Sequence, residues 1–474
     1  MVELLLLLGA ASAAETALTV RSLSAVDLAA DRRAEDTLET TTRIAASARG
    51  GAETRWFIGV LGEHTLRVGL DTEALLNIRA DETGIDAPLG PARIRAGYLV
   101  ERWGRLDLLP VVDVINGRDL RAGFLTPPQH LRLPAAMTRL QVGGERARAE
   151  LTWLPVPARD VGSILETDWA LIRQGWLPGL ATAASSWPGD PLTEAFTQQG
   201  VTALGAALAN LDPWTTAGLS QISSSAGLQA ATGAQSDLLL RLEAEGRGID
   251  GALLGGIMTS RQPALTIAPG LIVYLQEQRL PGITEQEDLL SALSDPITQV
   301  TPRTAIAGAE VSGLLGSVGV RAEGLWTGSA AVSRQWFQST TSPALAAGGG
   351  LDWARGVVLL SAEGSWRHLL DAPEDPWLTA ETQAQLAGAA MARLFAERMT
   401  ARLGGIYDLT FSEHMLQVAL SWRASDSIEL TGGLLALGGN DAPTSLLQAA
   451  TYTGGPMGYW GDNDCITLEI AFIQ

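Results

Sequence analysis

The chain has 474 residues, of which 46% are hydrophobic and only 18% charged. After the N-terminus no apolar run reaches ~18 residues, which excludes ordinary membrane helices and requires the apolar residues to alternate with polar ones. The formal charge of -19 excludes nucleic acid as a partner, because neutralising phosphates needs a basic surface, and the lone cysteine, Cys465, excludes an internal disulfide framework.

In chain order, Leu4 to Leu8 followed by Gly9-Ala-Ala-Ser-Ala-Ala14 reads as an apolar core with an Ala-x-Ala exit. That predicts a signal peptide over residues 1–14 and export, although the leading residues carry Glu3 and no basic group. Residues 15–474 then read as one domain. From Arg55 to Leu70 the period is two, with Ile58, Val60, Leu66 and Val68 on one face and Glu63, Thr65 and Arg67 on the other. The same alternation recurs over Arg146 to Trp153, Leu238 to Arg247, Ser317 to Trp326, Val358 to Arg367, Thr400 to Phe411, His414 to Arg423 and Ile428 to Ala436.

A soluble sheet also alternates, but these segments span ~10 to 12 residues, the length of a tilted membrane strand. Their apolar faces end in Trp153, Trp326, Trp366 and Trp422, as interfacial anchors do. The expected fold is therefore an all-β transmembrane antiparallel barrel of about 18 strands (16 to 18). Tight turns near Ala354-Arg355-Gly356, Glu397-Arg398 and Ala424-Ser425-Asp426 alternate with longer loops near Leu280 to Thr301, Thr327 to Pro343, Leu369 to Ala380 and Gly438 to Asn463.

Two stretches do not read as crossings. Leu108 to Pro134 holds a polar turn and the break Thr126-Pro127-Pro128. Pro155 to Gln235 holds an amphipathic pattern over 193–211, predicting a helix bounded by Pro188 and Pro191 before it and Asp212-Pro213 after it. Each is expected as an ordered loop, a cap or a lumen plug. An even strand count returns both termini to the periplasm, and counting crossings places both stretches at the periplasmic end or inside the lumen. The final segment, Asp464 to Gln474, turns Ile466, Leu468, Ile470 and Phe472 outward and Thr467, Glu469 and Ala471 inward.

Tyr98, Trp103-Gly104, Asp107, Asp113-Val-Ile-Asn116 and Arg118-Asp119, followed by Leu133-Pro134 and Trp153-Leu-Pro155, resemble the signature of a proteobacterial family of outer-membrane barrels of unassigned function. That family is similar to the alginate-export porins. The resemblance implies a passive envelope channel or exporter and supplies no substrate. Gly117 stands where that family tends to have Pro, and two residues follow Phe472 where barrel-assembly signals of such proteins usually finish on an aromatic.

The candidate solute path is the inward face. Arg67, Arg93, Arg95, Arg139, Arg146, Arg148, Arg241 and Arg321 are expected inside, among Glu63, Glu150, Glu243, Glu245 and Glu323. Opposed arginine and acidic ladders orient anionic or polar solutes, and guanidinium forks suit carboxylate or phosphate; alternatively the charges pair and fill the wall. Asp113, Asn116, Arg118 and Asp119 have two readings as well. They contact solute, or they satisfy backbone N–H groups and pair with Arg118 or Arg121.

No G-x-S-x-G elbow, H-E-x-x-H or clustered metal ligands occur, so neither an enzyme nor a cofactor or metal site is expected. The nearest approach to a hydrolytic pair is Ser365 with His368. The function read from the sequence is an outer-membrane channel or exporter for small polar, anionic or amphipathic molecules, surrounded by outer-membrane lipid and open to a periplasmic partner. A plugged structural or adhesive barrel and a membrane-embedded hydrolase are the alternatives.

Overall fold

The computed structural model describes residues 15–27, 36–51, 53–69, 72–120, 123–125, 131–144, 146–162, 176, 236–246, 248–262, 264–268, 272–273, 276–278 and 297–473. The proposed signal peptide over 1–14, His130, the helix expected over 193–211 and nearly all of the 163–235 stretch lie outside the described residues, so neither a helix nor a plug there is described.

The main sheet contains nineteen hydrogen-bonded segments. Thr72–Ala80 and Thr83–Leu89 pair with successive parts of the same neighbour, Arg55–Gly69, so they are one crossing interrupted at Asp81-Glu82. Eighteen antiparallel crossings result. In order they are β1 (Glu15–Asp27), β2 (Asp36–Gly50), β3 (Arg55–Gly69), β4 (Thr72–Ala80 with Thr83–Leu89), β5 (Ala92–Leu99), β6 (Ala135–Gly143), β7 (Ala147–Leu154), β8 (Asp237–Gly246) and β9 (Ile249–Thr259). The second half comprises β10 (Arg303–Leu315), β11 (Val318–Arg334), β12 (Gln338–Arg355), β13 (Val358–Leu369), β14 (Thr382–Leu394), β15 (Met399–Asp408), β16 (Glu413–Arg423), β17 (Ile428–Gly438) and β18 (Cys465–Ile473). Each crossing pairs with the next, and β1 pairs with β18 through Arg21↔Ala471 and its neighbours, which closes the barrel and leaves no sheet edge.

Period-two alternation decides what faces out. On β8, Leu238, Leu240 and Leu242 are exposed while Leu239 and Glu243 are buried. On β16 the exposed set is Leu416, Val418, Leu420 and Trp422, and on β18 it is Ile466, Leu468, Ile470 and Phe472. An exterior as apolar as that of these strands would be an aggregation liability in water and is the surface that hydrocarbon solvates. The start of β1, the end of β18 and the short connections from β2 to β3, β4 to β5, β6 to β7, β8 to β9, β10 to β11, β12 to β13, β14 to β15 and β16 to β17 share one rim, here the turn rim. The long connections 100–134, 155–236, 260–302, 370–381 and 439–464 leave the opposite, loop rim. Outward aromatics gather near both rims: Tyr98, Trp153, Trp326, Trp366 and Tyr407 toward the loops, Trp56, Trp353, Trp422 and Phe472 toward the turns. These are the two interfacial girdles of a membrane barrel.

Two expectations are corrected. The stretch Thr327 to Pro343 is not a loop but the extension of β11 and β12, strands of 17 and 18 residues, which continue past a register shift through Ala330↔Ser342 to Arg334↔Gln338. Its small and hydroxylated residues pair well but show no apolar alternation, so they resemble a loop in sequence. Both long stretches after β5 and β7 leave the rim opposite the ends of the described chain. Of the two places that counting crossings offered, the periplasmic end or the lumen, the first is corrected, while residues 100–118 do fold inward. Two early crossings are hard to count from sequence: β2 is rich in Thr, Ala and Arg, and β4 is broken at Asp81-Glu82.

Candidate functional site

The segment 100–118 leaves β5 at the loop rim and turns into the barrel. Leu99, Trp103, Val112 and Ile115 pack on inward Ala135, Met137, Leu154, Leu239, Leu254, Met258 and Ile306 of β6 to β10. Trp103 is 1% exposed, and its indole Nε1 donates to Glu150 at 3.2 Å. Gly104 has φ +99°, and a Cβ there would stand 2.8 Å from Glu323 Oε1, so the turn after Trp103 requires glycine.

Irregular backbone inside a barrel must find hydrogen-bond acceptors other than a strand. Two inward carboxylates supply them. Glu323 of β11 accepts from the N–H groups of Arg105, Leu106 (2.6 Å), Val111 (2.8 Å) and Val112 (3.0 Å). Glu363 of β13 accepts from those of Asp107 (2.8 Å), Leu108 (2.8 Å) and Leu109 (2.7 Å). Between them β12 presents Gly348, opposite Glu323, and Gly350, opposite Glu363. A Cβ at Gly348 would lie 2.6 Å from Leu106 Cδ1, so the missing side chains make the seat for buried Leu106.

Most of the lumen arginines expected as a solute path hold this segment or its surroundings. Arg95 and Arg139, paired across β5 and β6, both reach Glu101, at 2.8 and 2.7 Å, and Arg95 lies over the Phe57 ring. Arg148 and Arg241 meet Glu243 at 2.6 and 3.2 Å, and Arg105 of the segment joins them at 2.9 Å. Arg241 also pairs with Glu310. Arg321 bridges Asp107, Asp352 and Glu363 at 2.5, 2.8 and 3.0 Å. Arg93 pairs with Asp86 near the turn rim, and Arg146 is exposed in the turn before β7. Arg67 sits on β3 opposite Glu39, and its side chain lies outside the described residues. Burial pushes the Glu101 carboxyl up, against the pull of Arg139 and Arg95. Burial acts upward on Asp107 too, but hydrogen bonds from Arg102 and Arg321 outweigh it and hold that carboxyl below the usual range.

The polar turn closes the segment. Asn116 Oδ1 accepts from Glu101 N at 2.8 Å, while its Nδ2 donates to the carbonyls of Leu99 (2.9 Å) and Leu133 (2.8 Å), tying both ends of the excursion together. Asp113 pairs with Arg132 at 2.5 Å and Arg118 with Asp160 at 2.7 Å, where the sequence suggested pairing of the aspartates with Arg118 or Arg121. Buried Asp119 lies 3.8 Å from Arg79 and donates its N–H to Leu131 O at 2.6 Å. Gly117 is set against Arg159, whose carbonyl oxygen would be 1.9 Å from a Cβ. Gly117→Ala is therefore expected to cost about 1–3 kcal/mol and to expose 101–118 to protease, checked by denaturant unfolding and limited proteolysis of the refolded protein.

A cavity of ≈ 430 Å³ remains between this segment and β9 to β14, on the loop-rim side. Ser365, Arg367, Gln383 and Gln385 line it together with Thr304 and Thr327. Asp408, fully buried, accepts from Gln383 Nε2 at 2.7 Å and from Gln385 Nε2 at 2.9 Å. A carboxylate only accepts, so both amide nitrogens turn to it and both carbonyl oxygens are left as acceptors elsewhere. Arg367 has no acidic partner among the described residues. None of Arg367, Gln383, Gln385 and Asp408 stood out in the sequence; the signal present was the alternation of Arg367 and Ser365 with outward Trp366. That alternation separates Ser365 from His368, which stacks on Trp366 at 5.9 Å and bonds Thr382, so the hydrolytic pair considered from sequence is not formed.

A closed barrel with an even number of strands, an apolar exterior and two aromatic girdles defines an outer-membrane β-barrel. No protein-family model matches the chain, and no curated protein matches it. Among solved structures it is similar to OccK2 (OpdF) of Pseudomonas aeruginosa in complex with glucuronate, at 10% identity and TM-score 0.47, covering 97% of each chain. It is also similar to OccAB1 of Acinetobacter baumannii, at 9% identity and TM-score 0.47 over 97% of this chain and 95% of that one. The outer membrane protein OprD from Pseudomonas aeruginosa is similar at 7% identity and TM-score 0.45, over 97% and 94%.

Proposed function

We propose that this barrel is an outer-membrane channel or exporter for small polar or anionic solutes. The observation that carries the reading is Arg367, a lumen guanidinium without an acidic partner among the described residues, beside Ser365 and the two oriented glutamine carbonyls. An anionic solute with hydroxyl groups finds there a fixed cation and acceptors for its hydroxyls, whereas the other lumen arginines named above largely neutralise carboxylates of the protein itself. The tie to the alginate-export porins rests on the Tyr98 to Asp119 motif, whose residues build the inward segment; it supports a channel or exporter, while the anionic cargo rests on Arg367 alone. A periplasmic partner would meet the turn rim.

A plugged structural barrel is the second reading, favoured by how firmly Glu323 and Glu363 hold the inward segment. Conductance of the refolded protein in a planar bilayer separates the two. A steady conductance is expected, and Arg367→Gln should lower the permeability to organic carboxylates about ten- to a hundredfold, since a charge-assisted hydrogen bond is worth ~1.5–3 kcal/mol. A correctly inserted but silent protein would remove the channel reading.

A further inference from the structure

The outer face is apolar on strand after strand, but not across β1 to β3. Thr41 and Thr65 bond to each other at 3.1 Å, and Thr65 is fully buried on the inward side with Glu63, so by alternation Thr40, Thr42 and His64 face out. Ser22, Ser24, Thr40, Thr42 and His64 therefore form one outward patch. Ser22 lies opposite Thr42 and Thr42 opposite His64, while Ser24 lies opposite Thr40. Ser22 and Ser24 stand level with Ile470 and Leu468 of β18, in the middle of the exterior belt and away from either aromatic girdle. Exposed Leu76 and Ile78 of β4 border the patch on the other side.

Hydrocarbon offers no hydrogen-bond partner, so polar groups at this depth are costly unless covered. The hydroxyls meet part of the need among themselves: Ser22 with Thr42 and Ser24 with Thr40, each at 3.1 Å. Each such pair still has an unused donor hydrogen. His64 is exposed and has no hydrogen-bond or ion partner among the described residues. At mid-belt the imidazole is too far from the girdles to reach a lipid headgroup.

We propose that this patch is the contact between two copies of the chain. Hydroxyls both donate and accept, and a neutral imidazole carries one donor and one acceptor, so the patch matches itself about a two-fold axis without like-charge repulsion. A second barrel of this chain presents a polar patch at the same depth, which a lipid tail does not. The surrounding Leu, Ile and Val residues then form an apolar rim that keeps the new hydrogen bonds dry.

The test is in-membrane cross-linking of a Ser24→Cys variant with a short bis-maleimide, together with the mass of the wild-type particle in nanodiscs; buried Cys465 is a poor competitor for the reagent. Cross-linked dimer and a two-barrel mass are expected. Thr42→Val combined with His64→Leu should reduce association about tenfold, as expected for a few polar contacts in lipid, with per-barrel conductance unchanged. A wild-type protein that stays monomeric and uncross-linked in lipid would overturn the proposal. So would a dimer that the double variant does not weaken and that cross-links from Val311→Cys on β10, across the barrel from the patch, or a mass showing a different protein on the patch.

Discussion

Replacing Glu323 and Glu363 together by Ala should free the 101–118 segment and raise single-channel conductance several-fold. The two carboxylates receive seven backbone N–H groups of that segment. Hydrogen bonds to charged groups contribute ~1.5–3 kcal/mol each, and both carboxyls are almost fully buried, so little water competes. Removing one of them leaves the other in place, and the packing of Trp103, Val112 and Ile115 on the wall still opposes release. The single variants should therefore act weakly and the pair more than additively. Glu323→Gln keeps an acceptor but loses the charge, and an intermediate conductance would separate loss of charge from loss of shape. An unchanged conductance in the Glu323/Glu363 double variant, with the barrel intact by its heat-modifiable gel mobility, would show that the segment does not limit the pore.

Arg261→Ala is expected to be the most destabilising single change, by about 3–5 kcal/mol for breaking a buried pair. Arg261 is 8% exposed, pairs with fully buried Asp237 at 2.5 Å, and donates to the carbonyls of Val114 (2.7 Å) and Ala158 (3.1 Å). Burial pushes its guanidinium down, and the Asp237 charge opposes that shift. Truncation leaves a buried carboxylate without its cation and releases two segments at once, 100–118 and the strand exit before Asp160. Arg261→Ala with Asp237→Asn should recover part of the loss, because the uncompensated charge is then removed. Denaturant unfolding of the refolded variants reads both outcomes.

The wall was largely legible because membrane strands alternate with period two. Ile428 to Ala436 in the sequence becomes Ile428–Gly438, and Leu238 to Arg247 becomes Asp237–Gly246. Where alternation fails the reading fails, as in the Ser- and Thr-rich extension of β11 and β12 and in the early crossings β2 and β4, whose irregularity misplaced the rim assigned to the long loops. The interior was less legible. Trp103-Gly104 and Asn116-Gly117 marked an unusual segment, but its acceptors are 211 to 256 positions away, and nothing local to Glu323 or Glu363 distinguishes them from other wall glutamates. Arg367 sits in an alternating strand like any lumen arginine, and what sets it apart is the lack of an acid on the facing positions, which only the register across β12 to β14 reveals.

The hold of Glu323 and Glu363 on residues 105–112 also constrains the order of assembly. The N–H groups of residues 105–112 emerge early in the chain, yet their acceptors arrive with β11 and β13, more than 200 positions later. Contacts so distant form late, after the cost of closing the intervening chain has been met. Until then the segment carries seven donors with no acceptor from the wall, and a barrel interrupted before β13 leaves at least the three that belong to Glu363 unsatisfied. Docking of the segment thus reports that the second half of the wall has joined the first. A chain truncated after β10 should be recognisable by rapid amide hydrogen exchange across 105–112, even where β5 to β9 are already paired.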